Sequence, residues 1–421
     1  MSNILVLSFA ISPVKGSEYA VGWNFIKHMS KYHKLFVLYA ELGTDLQMDA
    51  YLSGKESIEN VKFFFCGRKK DLPPKSGVFR DFFESYRETK KLHKNALKIA
   101  KKIVQEEHID CVHYLNPIGF KEPSELWKID NCPYVWGPVQ ATSTWPWGAL
   151  PYLSFKGLQE FWLRKIFHNI QFFFNVNVRK AFKRADAVVA ATPFSKELID
   201  RTYKKNCLYT PENAIEYIEN SQVVRFHGDV LQLFFAGSLI DRKGVMLLLH
   251  SLVKIKKMGL LNRVHLHIFG EGYLREKLKK FSKRHELGNA ITWYGMVDRS
   301  SLQHQMSQMH LHVLPSLGEA NPTILWEATN KRIPTLTLNH CGMQGVLTSK
   351  SAFLVNLASG KKMILDITNN IVSILNRPEL IEEKSASVLD VINQNLWEGP
   401  QGKECFWNRV YEQTIKFYHS K

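Results

Sequence analysis

Short apolar segments that alternate with helical patterns, twice along the chain, are the feature that most restricts the possible folds. We predict strands in the first half at ILVLSFA, KLFVLYA, VKFFFCG, DCVHYLN, PYVWGP, DAVVAAT and CLYTP, and in the second half at LQLFFAGS, VHLHIFG, ITWYG, LHVLPS and PTLTLN. Nearly continuous apolar strands separated by helices are typical of parallel sheets covered on both faces. The sequence therefore predicts an α/β protein with two doubly wound, Rossmann-like domains.

The chain has 421 residues, which is long for one hydrophobic core and suits two domains. A polar stretch near residues 216–229 separates the two series of strands. We therefore predict a first domain over residues 1–220, a second over residues 229–395 and a C-terminal helix within residues 396–421. Ligands of open parallel sheets bind beyond the carboxyl ends of the strands, so a site is expected in the loops that follow them.

Three loops of the second half combine cations, glycines and helix starts. The first, SLIDRKGV, contains Arg242 and Lys243, the second is GEGYLREKL, and the third is GEANPTILWE at residues 318–327. Cationic side chains, glycine-rich backbone and a helix N-terminus that meet at one sheet edge would hold a diphosphate.

The third loop ends an apolar strand with two carboxylates eight residues apart. Asn321 suits a helix N-cap and Pro322 suits the first helical position. This arrangement puts Glu319 in the strand-to-helix turn and Glu327 in the second helical turn. The unpaired N–H groups of the helix start would bind an anion, and a nearby carboxylate could accept hydrogen bonds from ribose hydroxyls. A helix-capping acid and a surface acid are the simpler interpretation of the same pair.

The net charge of +17 is spread over both halves but has two dense segments. Residues 87–102 carry seven basic side chains and one acidic one, and residues 163–184 combine basic side chains with an aromatic-rich pattern at helical spacing. Basic heads beside aromatic rings suit an anionic membrane surface. An amphipathic helix packed on a sheet fits equally well. Nucleic-acid binding is disfavoured because no nucleic-acid motif accompanies the charge.

The six cysteines are scattered without a Cys-x-x-Cys pair, which favours reduced thiols. The chain opens on a strand-like segment, and no apolar run approaches the ~18 residues that a membrane-spanning helix needs. We therefore predict a cytoplasmic protein that is either soluble or peripheral on the inner face of the plasma membrane.

Two other ligand classes have weak signals. GEGYLR matches half of a dinucleotide fingerprint, but Arg275 takes the place of the third glycine, so NAD is excluded. The pairs His265 with His267 and His310 with His312 could each chelate a metal from one strand face. The strand at LFFAG should lie between the two pairs, which disfavours a four-histidine site.

The series GSLIDRKG, GEG, WYG and PSLGEANPTILWEA resembles the donor domain of retaining glycosyltransferases of the GT-B fold, in glycosyltransferase family 4. In the first half, KGSEYAVGWN resembles the Gly-Ser-Glu…Gly-Trp loop of a bacterial subgroup of that family, and YVWGPV resembles its Trp-Gly-Pro segment. The resemblance covers nearly the whole chain, including a C-terminal helix ECFWNRVYEQTIKFY like the one that crosses back to the first domain. It implies the GT-B arrangement of two Rossmann-like domains facing a cleft.

The resemblance implies a donor site in the second domain. Glu327 matches the glutamate expected to bind the donor ribose, and Glu319 matches the one expected near the sugar hydroxyls and the reaction centre. Lys243 matches the lysine that neutralises the diphosphate. The other residues that the resemblance places near the donor are Gly16, Gly270, Glu271, Gly272, Ala320, Asn321, Pro322 and Thr323.

One position departs from the family. Ser238 stands where the family commonly has the arginine of a Gly-Arg pair, so one diphosphate cation is missing. Arg242 could supply that charge from a different backbone position.

The acceptor side is less defined. His113, at the end of DCVHYLN, falls where many members of the family carry an acceptor-side histidine, although a satisfied strand-end histidine is the alternative. Trp136, Trp145 and Trp147 could stack on an acceptor sugar or could pack their loop against the protein.

The implied function is transfer of a sugar, with retention, from a nucleotide-diphosphate sugar to a glycan or lipid-linked acceptor, in bacterial surface polysaccharide biosynthesis. Front-side attack, in which the leaving phosphate takes the acceptor proton, needs no cofactor or metal, and the chain has no Asp-x-Asp motif. Glu319 acting as a nucleophile is the chemical alternative. A catalytically silent homologue that binds nucleotide or glycan is the alternative function, suggested by Ser238.

Overall fold

The structure is a computed structural model that describes residues 1–16, 18–42, 47–54, 58–69, 78–142, 144–219 and 221–420. Ser17 of the Gly-Ser-Glu loop lies outside the described residues. The strands are β1 (Asn3–Ser8), β2 (Lys34–Leu42), β3 (Val61–Lys69), β4 (Cys111–Asn116), β5 (Tyr134–Val139), β6 (Ala187–Ala190), β7 (Leu208–Tyr209), β8 (Leu231–Ala236), β9 (Val264–Phe269), β10 (Ile291–Gly295), β11 (Leu311–Leu314), β12 (Thr335–Leu338) and β13 (Ala352–Val355).

The α-helices alternate with these strands along most of the chain. They are α1 (Glu18–Met29), α2 (Gln47–Ser53), α3 (Val78–Glu106), α4 (Phe155–Leu163), α5 (Asn169–Phe174), α6 (Val176–Arg184), α7 (Pro193–Tyr203), α8 (Val245–Lys257), α9 (Arg275–Arg284), α10 (Arg299–Met306), α11 (Thr323–Asn330), α12 (Met343–Val346), α13 (Gly360–Asn376), α14 (Glu379–Gln394) and α15 (Lys403–His419).

Two parallel sheets confirm the predicted fold class. The first has seven strands in the order β3-β2-β1-β4-β5-β6-β7, and the second has six in the order β10-β9-β8-β11-β12-β13. All seven strands predicted in the first half are present, as are the five predicted in the second. A sixth strand of the second sheet, β13, was not predicted.

The buried faces of the strands explain why these segments pair in this way. Every residue of β4 and β5 is buried, as are all but the first residue of β1. A strand apolar on both faces is stable only where helices cover both sides, which is the doubly wound arrangement. The order of strands reverses between β1 and β4 in one sheet and between β8 and β11 in the other, and ligands of such sheets bind beyond the carboxyl ends of the strands at these points.

The chain forms two compact units. The first consists of Met1–Thr142, Phe167–Asn213 and Trp397–Lys421, and the second of Ser143–Ile166 and Ala214–Leu396. The C-terminal helix α15 therefore belongs to the first unit. The sequence-based boundaries placed residues 143–166 in the first domain, whereas the structure groups them with the second unit. A direct contact ties this segment to the second unit. Ser154 donates from its backbone N–H and its hydroxyl to the buried carboxylate of Asp241.

Residues 163–184 do not form the single amphipathic helix that their spacing suggests. α4 ends at Leu163, a π-helical turn covers 164–168, and α5 and α6 follow with a break at Asn175. Phe172 and Phe182 are buried in the core of the first unit. Other apolar side chains of the segment are exposed, namely Ile166, Phe167, Ile170 and Phe174.

Residues 87–102 lie in α3, whose apolar side is buried through Leu92, Ala96 and Ala100. Its basic side chains are exposed, so this segment is a packed amphipathic helix with a solvated basic face. All six cysteines are free thiols. Every helix among the described residues is too short or too polar to cross a membrane.

Candidate functional site

The candidate site of the second unit lies where β8 and β11, neighbours in the sheet, both end. The loop after β8 and the loop after β11 are joined by a backbone hydrogen bond of 2.8 Å from the N–H of Leu317 to the carbonyl of Arg242. Gly244 has a left-handed backbone (φ +69°), and a Cβ there would lie 1.9 Å from the carbonyl oxygen of Pro315. Glycine is therefore required after Lys243, because any side chain would push the two loops apart.

Three charged side chains meet between these loops. The Oε1 atom of Glu319 is 2.7 Å from Nη1 of Arg242 and 2.8 Å from Nζ of Lys243. Arg242 also donates to the carbonyl of Gly318 at 3.2 Å. Glu319 is 8% exposed and Lys243 is 9% exposed. One carboxylate thus faces two cations, so the cluster keeps a net positive charge in a mostly desolvated position, as an anion site requires.

The glycine-rich loop after β9 lies beside the loop after β8. The N–H of Leu239 donates to the carbonyl of Glu271 at 2.8 Å. A Cβ on Gly270 would lie 2.1 Å from the carbonyl oxygen of Gly237, and one on Gly272 would lie 2.4 Å from that of Leu239. These glycines are therefore explained by close backbone packing. The structure brings the loop to the same sheet edge as the charged cluster, with the Glu271 side chain paired to Arg275 at 3.3 Å.

The helix that follows Glu319 begins one residue later than predicted. α11 starts at Thr323, and Pro322 is the N-cap, with extended backbone (φ −66°, ψ 134°) and no side-chain cap. The predicted cap, Asn321, is buried in the turn. A Cβ on Gly342 would lie 1.2 Å from the carbonyl oxygen of Ala320, so another backbone segment packs directly on this turn.

Glu327 lies in the second turn of α11, as predicted. Its carboxylate is 13% exposed and lies 3.0 Å from the guanidinium of Arg299, which is itself 74% exposed. Burial raises the pKa of Glu327, and the charge and hydrogen bond of Arg299 oppose that increase. Gln303 also forms a hydrogen bond with this carboxylate. A mostly buried acceptor whose cationic partner faces solvent can exchange that partner for a ligand hydroxyl. Arg299 was not predicted, because no motif or local pattern marks it as part of this site.

Asp241 is a residue of the site that sequence reasoning missed. Although it is buried, its carboxylate accepts hydrogen bonds from the N–H of Ser154 at 2.6 Å, from the hydroxyl of Ser154 at 2.5 Å and from the hydroxyl of Tyr273 at 2.8 Å. It thereby connects three segments, namely the loop after β8, the loop after β9 and the start of α4. The only available signal was its place beside Arg242 in a loop already assigned to the site.

In the first unit, the loop after β1 contains Gly16. A Cβ on Gly16 would have no described atom within 4 Å, so packing does not demand glycine there. Gly22 is different, because a Cβ would lie 2.5 Å from the carbonyl oxygen of Ala10. Glu18 accepts a hydrogen bond from the N–H of Ile118 at 2.7 Å. Burial raises the pKa of Glu18, and the hydrogen bond from Ile118 opposes this.

His113 has the structural role that the sequence left as the alternative. It is fully buried, with Nδ1 2.7 Å from the hydroxyl of Tyr411 and Nε2 2.6 Å from the carbonyl oxygen of Gly137. Trp407 and Phe25 pack around its ring. Burial lowers its pKa to about 4. The assignment of His113 as a catalytic acceptor-side residue is therefore corrected, because both ring nitrogens are used and the ring is closed to solvent.

The three tryptophans of the predicted acceptor site differ in exposure. Trp136 and Trp145 are buried, with Trp136 stacked on Phe182 at 4.3 Å between ring centroids. Stacking of an acceptor sugar on these two is therefore excluded, since they pack inside the protein. Trp147 is 54% exposed and contacts Trp162 edge-on at 5.8 Å.

The histidine pairs of the second unit have partners other than a metal. β8 lies between β9 and β11, as expected, and so separates the two pairs. His265 is hydrogen-bonded to Thr292, and His312 to Thr335. Among the described residues, one group has the spacing for a metal ion, and it lies in the first unit: His28, Glu398 and Glu404. Lys31 forms an ion pair with the carboxylate of Glu398 there, which competes with any cation.

Comparison with known proteins gives a consistent result. Residues 217–379, which contain the charged cluster and both glutamates, match the family described as Glycosyl transferases group 1. An uncharacterized glycosyltransferase of Methanocaldococcus jannaschii is 20% identical over 326 residues, covering 76% of this chain and 77% of the relative.

Solved structures extend the likeness to the whole chain. The apo form of lipopolysaccharide outer core galactosyltransferase WaaB is similar with a TM-score of 0.66 at 15% identity, covering 98% of this chain and 99% of that one. The trehalose-6-phosphate structure from E. coli, bound with UDP-2-fluoro glucose, is similar with a TM-score of 0.65 at 12% identity and 99% coverage of both chains. These findings support transferase activity. The protein has the GT-B fold, and its residues 217–379 match the family described as Glycosyl transferases group 1.

Proposed function

We propose that the protein transfers a sugar, with retention and without a metal, from a nucleotide-diphosphate sugar to a glycan or lipid-linked acceptor. The observation that carries this proposal is the cluster of Arg242, Lys243 and Glu319 at the ends of two neighbouring strands. Two mostly buried cations that share one carboxylate can receive a diphosphate, and the matched domain includes all three residues.

The donor diphosphate would replace Glu319 as the partner of the two cations. Lys243 is mostly buried and its Nζ lies 3.8 Å from the position of a Cβ on Gly237, so it faces the loop where the family's usual arginine is replaced by Ser238. Arg242 shares a carboxylate oxygen with Lys243 and therefore supplies the second positive charge. This arrangement compensates for the departure at Ser238, and it argues against a silent binding site.

The nucleoside end of the donor would lie toward Glu327. Its carboxylate is partly buried and paired only with the exposed guanidinium of Arg299 among its described ion pairs, and it is the residue that the resemblance assigns to the ribose. The loop at Gly270, Glu271 and Gly272 borders the same sheet edge. The E. coli protein similar to this chain holds UDP-2-fluoro glucose, which supports a nucleotide sugar as the ligand class.

The chemistry follows from the charge that develops during transfer. As the glycosidic bond to the leaving diphosphate breaks, negative charge accumulates on its oxygens, and Arg242 and Lys243 stabilise that charge more strongly than they stabilise the ground state. Arg242 and Lys243 would thereby neutralise the diphosphate oxygens, as a divalent metal ion does in other enzymes. Glu319, released from its ion pairs, would then accept hydrogen bonds from the donor sugar.

We propose a bacterial surface polysaccharide as the biosynthetic product, with the protein peripheral on the inner membrane face. The name of the similar outer core galactosyltransferase supports an acceptor of this class. In the first unit, Phe167, Ile170 and Phe174 are exposed close in sequence to the basic residues of α6, which fits contact with anionic lipid. Residues 87–102 form a solvated basic face, which would add only long-range electrostatic attraction to an anionic membrane.

The experiment is a panel of UDP-, GDP-, ADP- and dTDP-sugars, with NMR to assign the anomeric configuration of the released or transferred sugar. The proposal expects one nucleotide class to react with retention, at the same rate with and without EDTA. Glu327→Ala should lose both the thermal stabilisation that this nucleotide gives the wild type and the release or transfer of the sugar. Glu286→Ala, which removes an exposed acid paired with Lys256, is the control and should behave as the wild type.

A panel in which nucleotides stabilise the protein but no sugar is released or transferred would favour the silent nucleotide-binding homologue. Inversion of configuration, or a reaction abolished by EDTA, would contradict the proposed mechanism while leaving the donor site intact.

A further inference from the structure

The helix α4 of the second unit presents apolar side chains to solvent. Phe155 and Trp162 are seven residues apart and therefore lie on the same side of α4, and Ile166 follows in the π-helical turn at 164–168. All three are exposed, and Phe155 is 77% exposed. Trp147, half exposed, packs its ring edge-on against Trp162. These four residues, called the α4 patch below, form an aromatic-rich surface that the described part of the chain leaves exposed.

Cations border the α4 patch. Lys156 lies in the first turn of α4, next to Phe155, and Lys165 lies next to Ile166 in the π-helical turn. The ammonium of Lys165 is 5.3 Å from the ring centroid of Trp147. The one acid of α4, Glu160, is neutralised by Arg164 at 2.8 Å. The border of the patch is therefore positive.

The same helix is fixed directly to the proposed donor loop. Ser154 caps the start of α4 by accepting from the N–H of Gly157 at 3.1 Å. It also donates two hydrogen bonds to Asp241, the residue before Arg242. A Cβ on Gly157 would lie 2.3 Å from the carboxyl carbon of Asp241, so the first turn of α4 rests on this side chain without a gap. A shift of α4 must therefore move Asp241.

We propose that the α4 patch docks on an anionic lipid bilayer, and that docking strengthens nucleotide binding through the contact of Ser154 with Asp241. The coupling rests on the proposed function, because it needs a donor site at Arg242 and Lys243. Exposed aromatic rings insert at the level of lipid headgroups, and flanking lysines pair with anionic phosphates. Charge complementarity thus selects an anionic bilayer as the occupant.

The α4 patch differs from the segments that the sequence pointed to, residues 87–102 and 163–184. Only Ile166 and Lys165 belong to both descriptions. Phe155, Trp162 and Trp147 precede residues 163–184, and the sequence pointed to Trp147 only as a stacking surface for an acceptor sugar. The structure adds them because it shows which aromatic rings stay exposed.

The first experiment measures sedimentation of the full chain with vesicles of phosphatidylcholine alone and of phosphatidylcholine with phosphatidylglycerol. Wild type should bind the anionic vesicles, and binding should weaken as salt rises from about 0.1 M to about 0.5 M. The double variant Phe155→Ser/Trp162→Ser should bind about tenfold more weakly. Met296→Ser, which removes an equally exposed apolar side chain of the same unit, is the matched control and should bind as the wild type.

The second experiment measures the affinity for the preferred nucleoside diphosphate by calorimetry, with and without the anionic vesicles. Wild type should bind the nucleotide several-fold more tightly when the vesicles are present. Ser154→Ala should bind vesicles normally and show a smaller increase, because it loses the hydroxyl bond to Asp241 and keeps only the backbone N–H bond. A thermal melt of this variant checks that it folds.

Three outcomes would overturn the proposal. Vesicle binding that is absent, or unchanged in the double variant, rejects the lipid surface. A wild-type dimer that becomes monomeric in the double variant, seen by analytical ultracentrifugation, makes the α4 patch an interface between two copies of the chain. Equal nucleotide affinity with and without vesicles in wild type rejects the coupling. A failure of the donor site itself is recognised separately, since it abolishes nucleotide binding in the absence of vesicles as well.

Discussion

Glu319→Gln should make the second unit less stable and, at the same time, a better binder of nucleoside diphosphate. The Glu319 side chain is 9% exposed, and its carboxylate lies within 2.8 Å of two cations. The side chains of Lys243 and Arg242 are 11% and 29% exposed. Removal of one partner of a buried ion pair typically costs about 3–5 kcal/mol. Because Arg242 keeps some contact with water, we expect a loss of about 2–4 kcal/mol here.

The effect on binding has the opposite sign. In the wild type, the carboxylate competes with the diphosphate for the same cations and repels it. Two like charges about 6 Å apart, at an effective dielectric constant of about 20, interact by about 3 kcal/mol. Screening reduces this value, so we expect nucleoside diphosphate to bind about tenfold more tightly, which corresponds to about 1.4 kcal/mol. Sugar transfer should nevertheless fall, because the proposed contact with the donor sugar is weakened.

The assay combines thermal denaturation without ligand and titration calorimetry with the nucleoside diphosphate. At about 2–4 °C per kcal/mol for a unit of this size, the melting temperature of the variant should drop by about 5–10 °C. Glu286→Gln, at a largely exposed pair with Lys256, is the control and should change neither quantity. Unchanged stability, or weaker binding of the nucleoside diphosphate, would refute the argument that Glu319 occupies the diphosphate position.

Other parts of the structure give three further predictions. Ser238→Arg restores the family's usual cation and should tighten nucleoside diphosphate binding several-fold, and calorimetry showing no change would contradict the role assigned to this loop. Trp136→Ala removes a 1% exposed side chain and should cost about 3–5 kcal/mol in urea denaturation, whereas Trp147→Ala at a half-exposed position should cost far less. Burial lowers the pKa of His113 to about 4 and that of His312 to about 3, so between pH 6.5 and 4 the unfolded chain binds protons that the folded chain does not. Each such histidine should therefore remove about 1–2 kcal/mol of stability by pH 5, and urea midpoints that stay level from pH 7 to 5 would contradict this.

The fold could be predicted because it rests on burial patterns that the sequence displays directly. Twelve of the strands are short apolar runs between helical segments, and each was predicted. β13 was missed because only the four-residue helix α12 separates it from β12, so the alternation of strand and helix does not show in the sequence there. The start of α11 was predicted one residue too early, since Pro322 suits both the cap and the first helical position and only the backbone geometry decides between them.

The site could be predicted only in part. A motif identifies the loop in which a residue lies, but the role of that residue depends on its burial and on its hydrogen-bond and ion-pair partners. Arg242, Lys243 and Glu319 were found through their spacing and resemblance, and the structure brings them together. His113 was assigned to an acceptor site by its resemblance and Trp136 by its aromatic ring, but both side chains lie in the core. Asp241 and Ser154 are separated by 87 residues, and no local pattern connects them. The grouping of residues 143–166 with the second unit likewise depends on contacts distant in sequence, including the packing of Trp145, Ala149 and Phe161 in the core of that unit.

The central claim is that Arg242 and Lys243 form the site of a donor diphosphate. It is tested most directly by the ratio of affinities for nucleoside diphosphate and nucleoside monophosphate of the same base, measured by calorimetry in wild type and in Lys243→Gln. Lys256→Gln, which changes an α8 lysine paired with the exposed Glu286, serves as the control. The account predicts that the diphosphate binds more tightly than the monophosphate in wild type and in the control, and that Lys243→Gln removes most of this preference. A preference that is equally large in Lys243→Gln would place the diphosphate elsewhere and contradict the account.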